Sequence, residues 1–184
     1  EQNVNKIKQL NNVYHVAITD TIASSLKEFE LPYKTCNFMG ISFNNYKPTL
    51  KGDYIYVYVG DGSEYYGKST YLKVYNILKD QYKFIFACSY KDVTIRNHLI
   101  PELVNIPILY SDKKDIVDIY KKCFICLRFT MHDGLSATVQ ELGCMGIKTI
   151  NNIISSPSII NYSDIASIIQ IIDNEYKMIN TIDY

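Results

Sequence analysis

The sequence predicts an α/β fold, a Rossmann-like doubly wound parallel sheet, and three observations predict it. Near-continuous apolar runs at residues 54–60, 84–89, 106–110, 124–129 and 148–153 have the length and β-branched or aromatic content of strands buried on both faces. Helix-like stretches separate them, so the connection pattern is βαβ, not hairpin. The joints carry Gly, Pro, Asp and Ser, which end one element and start the next.

The elements follow in order. Residues 13–18 read as a strand, and Thr19-Asp20 can cap a helix running to about Phe29. Leu31-Pro32 ends that helix, because proline cannot continue it, and residues 34–41 read as a short strand. Residues 44–53 are polar and turn-rich, with Pro48 and Gly52, as in a linker. A strand at 54–60 leads into a loop with Gly62 and Gly67, then a helix over 69–79. The strand 84–89 precedes a helix at 92–99 that stops before Pro101. After a shorter strand at 106–110, Ser111-Asp112 caps a helix to about Lys122, with Ile116, Ile119 and Tyr120 on one face. Strand 124–129, helix 136–145 and strand 148–153 come next. A loop around Pro157 follows, and Ser163-Asp164 then caps an amphipathic helix through about Tyr176.

Composition excludes several classes. The 184 residues carry a formal net charge of +0, with acids and bases mixed along the chain, so nothing marks a nucleic-acid partner. No run approaches the roughly 18 apolar residues of a membrane span, and the polar start, which lacks Met, holds no signal-peptide core. Such a start is expected of a processed or excised piece. The five cysteines, an odd number set in apolar runs, suit buried reduced thiols and a cytoplasmic location. Cys123 and Cys126 have the C-x-x-C spacing, but residues three apart on a strand point to opposite faces, so no metal site is expected there.

The informative segment is Arg128-Phe-Thr-Met-His-Asp-Gly-Leu-Ser-Ala-Thr-Val-Gln-Glu-Leu-Gly-Cys-Met-Gly146. It reads as a buried strand, a tight loop, and a helix starting on small polar residues. Asp133 and Glu141 bracket the helix start. Unpaired N–H groups and the positive dipole end there suit phosphate. On its helix face Glu141 neighbours Ala137, Thr138, Cys144 and Met145, which are small or apolar, so its carboxylate needs a partner. That partner is a local Lys, or solvent at the edge of the face, or a ligand hydroxyl. Asp133 is either a plain helix cap or a ligand contact. Only Arg96 and Arg128 represent arginine in the chain, which draws attention to Arg128.

With these residues the segment resembles the donor site of retaining GT-B glycosyltransferases of the family 4 type, whose E-x(7)-E spacing is matched by Asp133 and Glu141. The resemblance is specific over 128–150 and generic over the rest of 53–184. It implies a nucleotide-diphosphate sugar, such as a UDP- or GDP-sugar, as donor, with no metal or other cofactor. Glu141 would hold the ribose, and Asp133 the donor sugar. Backbone N–H groups around Gly134, Leu135 and Ser136 would bind the diphosphate or the sugar. Family members carry an Arg after the first-strand Gly and a Lys soon after; here Asp61 follows Gly60, and Lys68 is either that Lys or a solvated loop residue. Arg128 and His132 are then the substitute cations.

The resemblance also divides the chain. Residues 1–45 would be the tail of an N-terminal Rossmann-like domain, 46–53 a linker, and 54–184 the donor-binding domain. The glycan or other acceptor would sit on the N-terminal domain, supplied by a longer chain or a partner. Without it the chain is a noncatalytic module that binds nucleotide sugar or a protein. A dinucleotide oxidoreductase needs G-x-G-x-x-G, and Gly60-Asp-Gly62-Ser-Glu-Tyr65 supplies only the first two glycines.

Overall fold

A computed structural model of the chain describes residues 2–10, 13–18, 20–36, 43–110, 115–133, 136–152 and 156–180. It divides into two compact units, Glu1–Ser42 with Gly134–Ala137, and Phe43–Asp133 with Thr138–Tyr184.

The first unit contains helix α1 (Gln2–Lys8), strand β1 (His15–Ala17), helix α2 (Asp20–Glu28) and strand β2 (Tyr33–Thr35). β1 and β2 pair in parallel, His15 opposite Tyr33 and Ala17 opposite Thr35, with α2 as the crossover. The strand–helix–strand expectation is met. Ala17 and Leu31 are buried, whereas Tyr14 and Val16 are exposed. The helix α1 has no counterpart in the sequence reading, since its mostly polar residues draw no apolar stripe. The outer part of the strand expected at 34–41 falls outside the described residues.

The second unit begins with a 3-10 turn, Phe43–Asn45, and an irregular stretch to Asp53. Then come β3 (Tyr54–Gly60), α3 (Lys68–Leu78), β4 (Lys83–Cys88), α4 (Val93–Leu99), β5 (Ile108–Tyr110), α5 (Ile116–Tyr120), β6 (Cys123–Leu127), α6 (Ala137–Cys144), β7 (Lys148–Ile150), β8 (Ile159–Ile160) and α7 (Ile165–Asn180). The six strands form one parallel sheet in the order β5-β4-β3-β6-β7-β8. Counted from β3, this is the 3-2-1-4-5-6 order of dinucleotide-binding sheets, whose direction of winding reverses between the first and fourth strands.

Alternation along β3 distributes the core. Ile55, Val57 and Val59 point into a cluster with Tyr71, Val74 and Leu78 of α3 and Ile168 and Ile172 of α7. Tyr56 points to the other face, against Ile116 and Tyr120 of α5, Leu142 of α6 and Met145 just after that helix. Both faces are covered, so β3 is apolar throughout.

The cysteine expectation needs correction. Tyr54 lies opposite Cys123, but Ile55 lies opposite Ile125, so β6 carries one extra residue at the register shift. This bulge resets the alternation. Cys123 and Cys126 therefore pack in the same cluster, while Phe124 and Ile125 lie on the α3 side. Both thiols are free and buried, and burial pushes both well above the ordinary thiol range, which suits packing and not nucleophilic chemistry.

One helix start follows its expected cap directly. Asp164 accepts the Ser167 N–H at 2.7 Å, starting α7 where Ser163-Asp164 predicts. The Ser111-Asp112 cap lies outside the described residues. β8 is a two-residue strand between the loop around Pro157 and the cap of α7, where no element was expected. Among the described residues no helix is long and apolar enough to cross a membrane.

Candidate functional site

In an open α/β sheet the crevice lies beyond the carboxyl ends of the strands, where the winding reverses. Here that point is between β3 and β6, at Gly60 and Arg128. Two loops meet there, 61–67 after β3 and 128–133 after β6. Met131 N–H donates to the Tyr65 carbonyl at 2.8 Å, and the Tyr65 hydroxyl donates to the His132 carbonyl at 3.1 Å. Gly67 has φ +70°, and a Cβ there would stand 2.4 Å from Phe129 Cβ, so the seam is closed to any other residue. The Tyr66 ring lies over Gly60, where a Cβ would fall 2.4 Å from its carbons.

Arg128 is fixed from three sides. Its Nε donates to Asp133 Oδ2 at 2.5 Å, and its guanidinium carbon lies 4.5 Å from the centre of the Tyr58 ring. Its carbonyl accepts the side-chain N–H of Asn151, a fully buried residue, at 2.8 Å. Thr130 Oγ1 also donates to Asp133 Oδ2, at 3.3 Å. The Arg128 and Asp133 side chains are 12% and 6% exposed, so this is a largely desolvated pair. Of the five N–H donors of a guanidinium, the pair uses the Nε one. The four on Nη bond no other described residue.

Lys68 is placed otherwise than expected. As the first residue of α3 it pairs with Glu102 Oε2 at 3.0 Å and donates to the Leu99 carbonyl at 3.3 Å. Its own backbone N–H and then Lys68 hold the Glu102 carboxyl below its ordinary range. The start of α3 is also filled, because the Glu64 carboxylate accepts the Ser69 N–H at 3.2 Å and the Ser69 hydroxyl at 2.6 Å. The loop after β3 therefore presents Asp61, a capping acid and a paired lysine.

Glu141 is buried, at 9% exposure, on the second turn of α6. Among the described residues its partners are two hydroxyls and not a lysine. The Tyr46 hydroxyl donates to Oε1 at 3.0 Å and the Tyr120 hydroxyl to Oε2 at 3.1 Å. Burial and then Glu141 push the Tyr46 hydroxyl up to about 12, and burial raises Tyr120 further. His132 is exposed. Ser136 is buried just before α6. Gly134 and Leu135 lie outside the described residues.

The structure thus brings Arg128 and Asp133 together and keeps Lys68 with Glu102. Sequence reasoning missed Tyr46, Tyr58 and Tyr120. Tyr58 carried a signal, since alternation places it on the same face of β3 as Tyr56. Tyr46 carried a weaker one, as an aromatic residue inside a polar Asn, Lys and Pro stretch. A cavity of about 330 Å³ lies elsewhere, at the amino end of β7, and its Lys51 and Lys148 both clasp Glu175.

No protein-family profile and no curated protein matches the sequence. Solved structures do match. Sucrose-phosphate synthase from Thermosynechococcus elongatus superposes with a TM-score of 0.68 at 11% identity, over 96% of this chain and 52% of that one. The C-terminal domain of the group 1 glycosyltransferase LpcC from Francisella tularensis matches at 0.52 and 13% identity, over 75% of this chain and 88% of that domain. The fold is that of a GT-B C-terminal domain. The Anabaena protein HepE, solved with UDP and glucose, matches at 0.64 and 10% identity, over 86% of this chain and 52% of its own. The chain spans about half the length of the sucrose-phosphate synthase and HepE chains that it matches.

Proposed function

We propose that this chain is the donor-binding half of a retaining glycosyltransferase that takes a nucleotide-diphosphate sugar. One observation carries the reading: the chain's described arginine side chain stands at the reversal point of a GT-B sheet, stacked on Tyr58 and pinned through Nε, with its Nη groups uncommitted to other described residues. A planar guanidinium held in advance meets phosphate oxygens in pairs and loses little freedom on binding. It stands just after β6, while the resembled family carries its arginine just after the strand that corresponds to β3. Asp133 then orients Arg128, a positioning role in place of the sugar contact expected of it. Glu141 takes ribose hydroxyls, and N–H groups at the start of α6 share the diphosphate. As the sugar leaves, negative charge grows on the diphosphate, and cations and dipoles already in place stabilise it without reorganising. The acceptor and the transfer step belong to a second domain. HepE, with its UDP and glucose, supports the ligand class by likeness of fold alone.

Isothermal calorimetry of the chain with UDP, GDP and their glucose and mannose conjugates tests this. Saturable binding of at least one, weakened tenfold or more by Arg128→Ala, is the expected result. Absence of binding by all of them at millimolar concentration overturns it. The pairing of Lys68 with Glu102 favours a second reading, a noncatalytic module of the same fold, because the β3 loop then offers no spare cation. Sugar transfer by the intact gene product rejects that one.

A further inference from the structure

Both carboxylate oxygens of Glu141 are already occupied, by two hydroxyl groups that differ in how firmly they are held. Tyr120 closes α5, is almost fully buried, and stacks edge-on against Tyr56 with ring centres 5.4 Å apart. Its hydroxyl is part of the core. Tyr46 is only half-buried and sits in the irregular stretch before β3. Its ring meets that of Tyr120 obliquely at 6.4 Å, a loose contact. The chain beyond it is anchored separately: Thr49 N–H donates to the Met145 carbonyl at 3.4 Å and Gly52 N–H to the Cys123 carbonyl at 3.2 Å. The Tyr46 ring can therefore turn away from Glu141 by rotating its own side chain, without disturbing β3.

We infer that Tyr46 stands in for a ligand hydroxyl on Glu141, so that a ribose binds by displacing Tyr46 from Oε1 while Tyr120 keeps Oε2 and holds the carboxylate in place. This rests on the proposed donor-binding role. The chemistry is an exchange of like for like. A phenolic O–H at 3.0 Å from a carboxylate oxygen occupies the position of a sugar O–H donor. Glu141 lies four residues into α6, about 6 Å below its first residue, which suits a ribose whose phosphates rest at the helix start. Without Tyr46, the free protein would hold a half-satisfied buried carboxylate, which is costly. With it, the empty site is stable, and the ligand must repay that hydrogen bond. Tyr46 thus sets a threshold: a ligand without a hydroxyl at that position removes the phenol and returns nothing.

The test is calorimetry of wild type, Tyr46→Phe and Tyr120→Phe with the nucleotide that binds best, and with its 2′,3′-dideoxy analogue. Losing one hydrogen bond to a charged acceptor amounts to about tenfold in an equilibrium. Tyr46→Phe should therefore bind the ribonucleotide about tenfold more tightly, while Tyr120→Phe binds it more weakly. Wild type should reject the dideoxy analogue. A Tyr46→Phe affinity equal to or below wild type overturns the inference, because a merely structural tyrosine gives that result, and the donor reading survives it. Binding of the dideoxy analogue as tightly as the ribonucleotide also overturns it. Failure of every form, Tyr46→Phe included, to bind any nucleotide overturns the donor reading and this inference together.

Discussion

Removing Arg128 should cost more stability than ligand binding alone would explain. In Arg128→Ala, Asp133 stays in a site where its side chain is 6% exposed, and Thr130 at 3.3 Å is its remaining partner among the described residues. Breaking a buried pair from one side costs about 3 to 5 kcal/mol, and the partial exposure of the arginine points to the lower end, about 3. Loss of the Tyr58 stack adds about 1 kcal/mol. The total, about 4 kcal/mol, corresponds to a fall in melting temperature of roughly 10 °C for a chain of this size. Asp133→Asn keeps the shape and leaves the guanidinium on Tyr58, so it should cost about 1 to 2 kcal/mol. The double variant then costs about 2 kcal/mol less than the sum of the singles, which is the coupling energy of the pair. Urea denaturation followed by far-ultraviolet circular dichroism measures all four proteins, provided the slope with denaturant is unchanged. A coupling energy under about 0.5 kcal/mol refutes the reasoning. The double variant also separates a lost ligand contact from a damaged loop.

Two further predictions concern the frame around the site. Gly67→Ala forces a positive φ on a residue with a Cβ and drives that carbon into Phe129; it should cost about 3 kcal/mol, and a thermal melt within two degrees of wild type would contradict the described seam. Glu175, 3% exposed, accepts Lys148 at 2.6 Å and Lys51 at 3.0 Å. Replacing it with Gln should cost about 2 kcal/mol, a reduced figure because the two lysines are partly exposed. Burial alone would raise the Glu175 carboxyl, but the two lysines outweigh it and leave it below its usual 4.5. Its contribution is therefore present above pH 4.5 and lost as pH falls below that value, so the stability gap between wild type and Glu175→Gln should close in acid. A gap that persists unchanged to pH 3 is the contrary result.

The sheet was legible because a strand buried on both faces must be apolar at nearly every position, and β3, β4 and β6 are. The reversal of strand order was not encoded locally, but βαβ handedness and layering restrict the arrangements. The bulge in β6 was invisible, since Cys-Phe-Ile-Cys-Leu reads equally well with or without an extra residue; only its partner β3 fixes the register. β8 was missed because two isoleucines after Pro157 are too short to show a period. At the site, Glu141 was legible as a carboxylate needing a partner, through the small and apolar residues on its helix face. The partner itself was not, because Tyr46 lies far away in sequence and meets Glu141 only after the sheet has formed. The partner of Lys68 was hidden for the same reason: its acid, Glu102, follows Pro101 in a different loop, and charge alone does not report which pair will form.

The central pairing of β3 with β6 sets Tyr54 opposite Cys123, whereas β3, β4 and β5 join neighbours close in sequence. Long-range pairing waits on closure of a large loop, so it forms late and slowly. During synthesis β3, β4 and β5 can assemble before β6 has been made, leaving an apolar edge on β3 without its neighbour. Arg128, Asp133 and Glu141 all follow β6 in the sequence. Under the proposed donor role, a nucleotide bound at these residues would therefore act as a folding ligand, stabilising the completed sheet over every shorter intermediate.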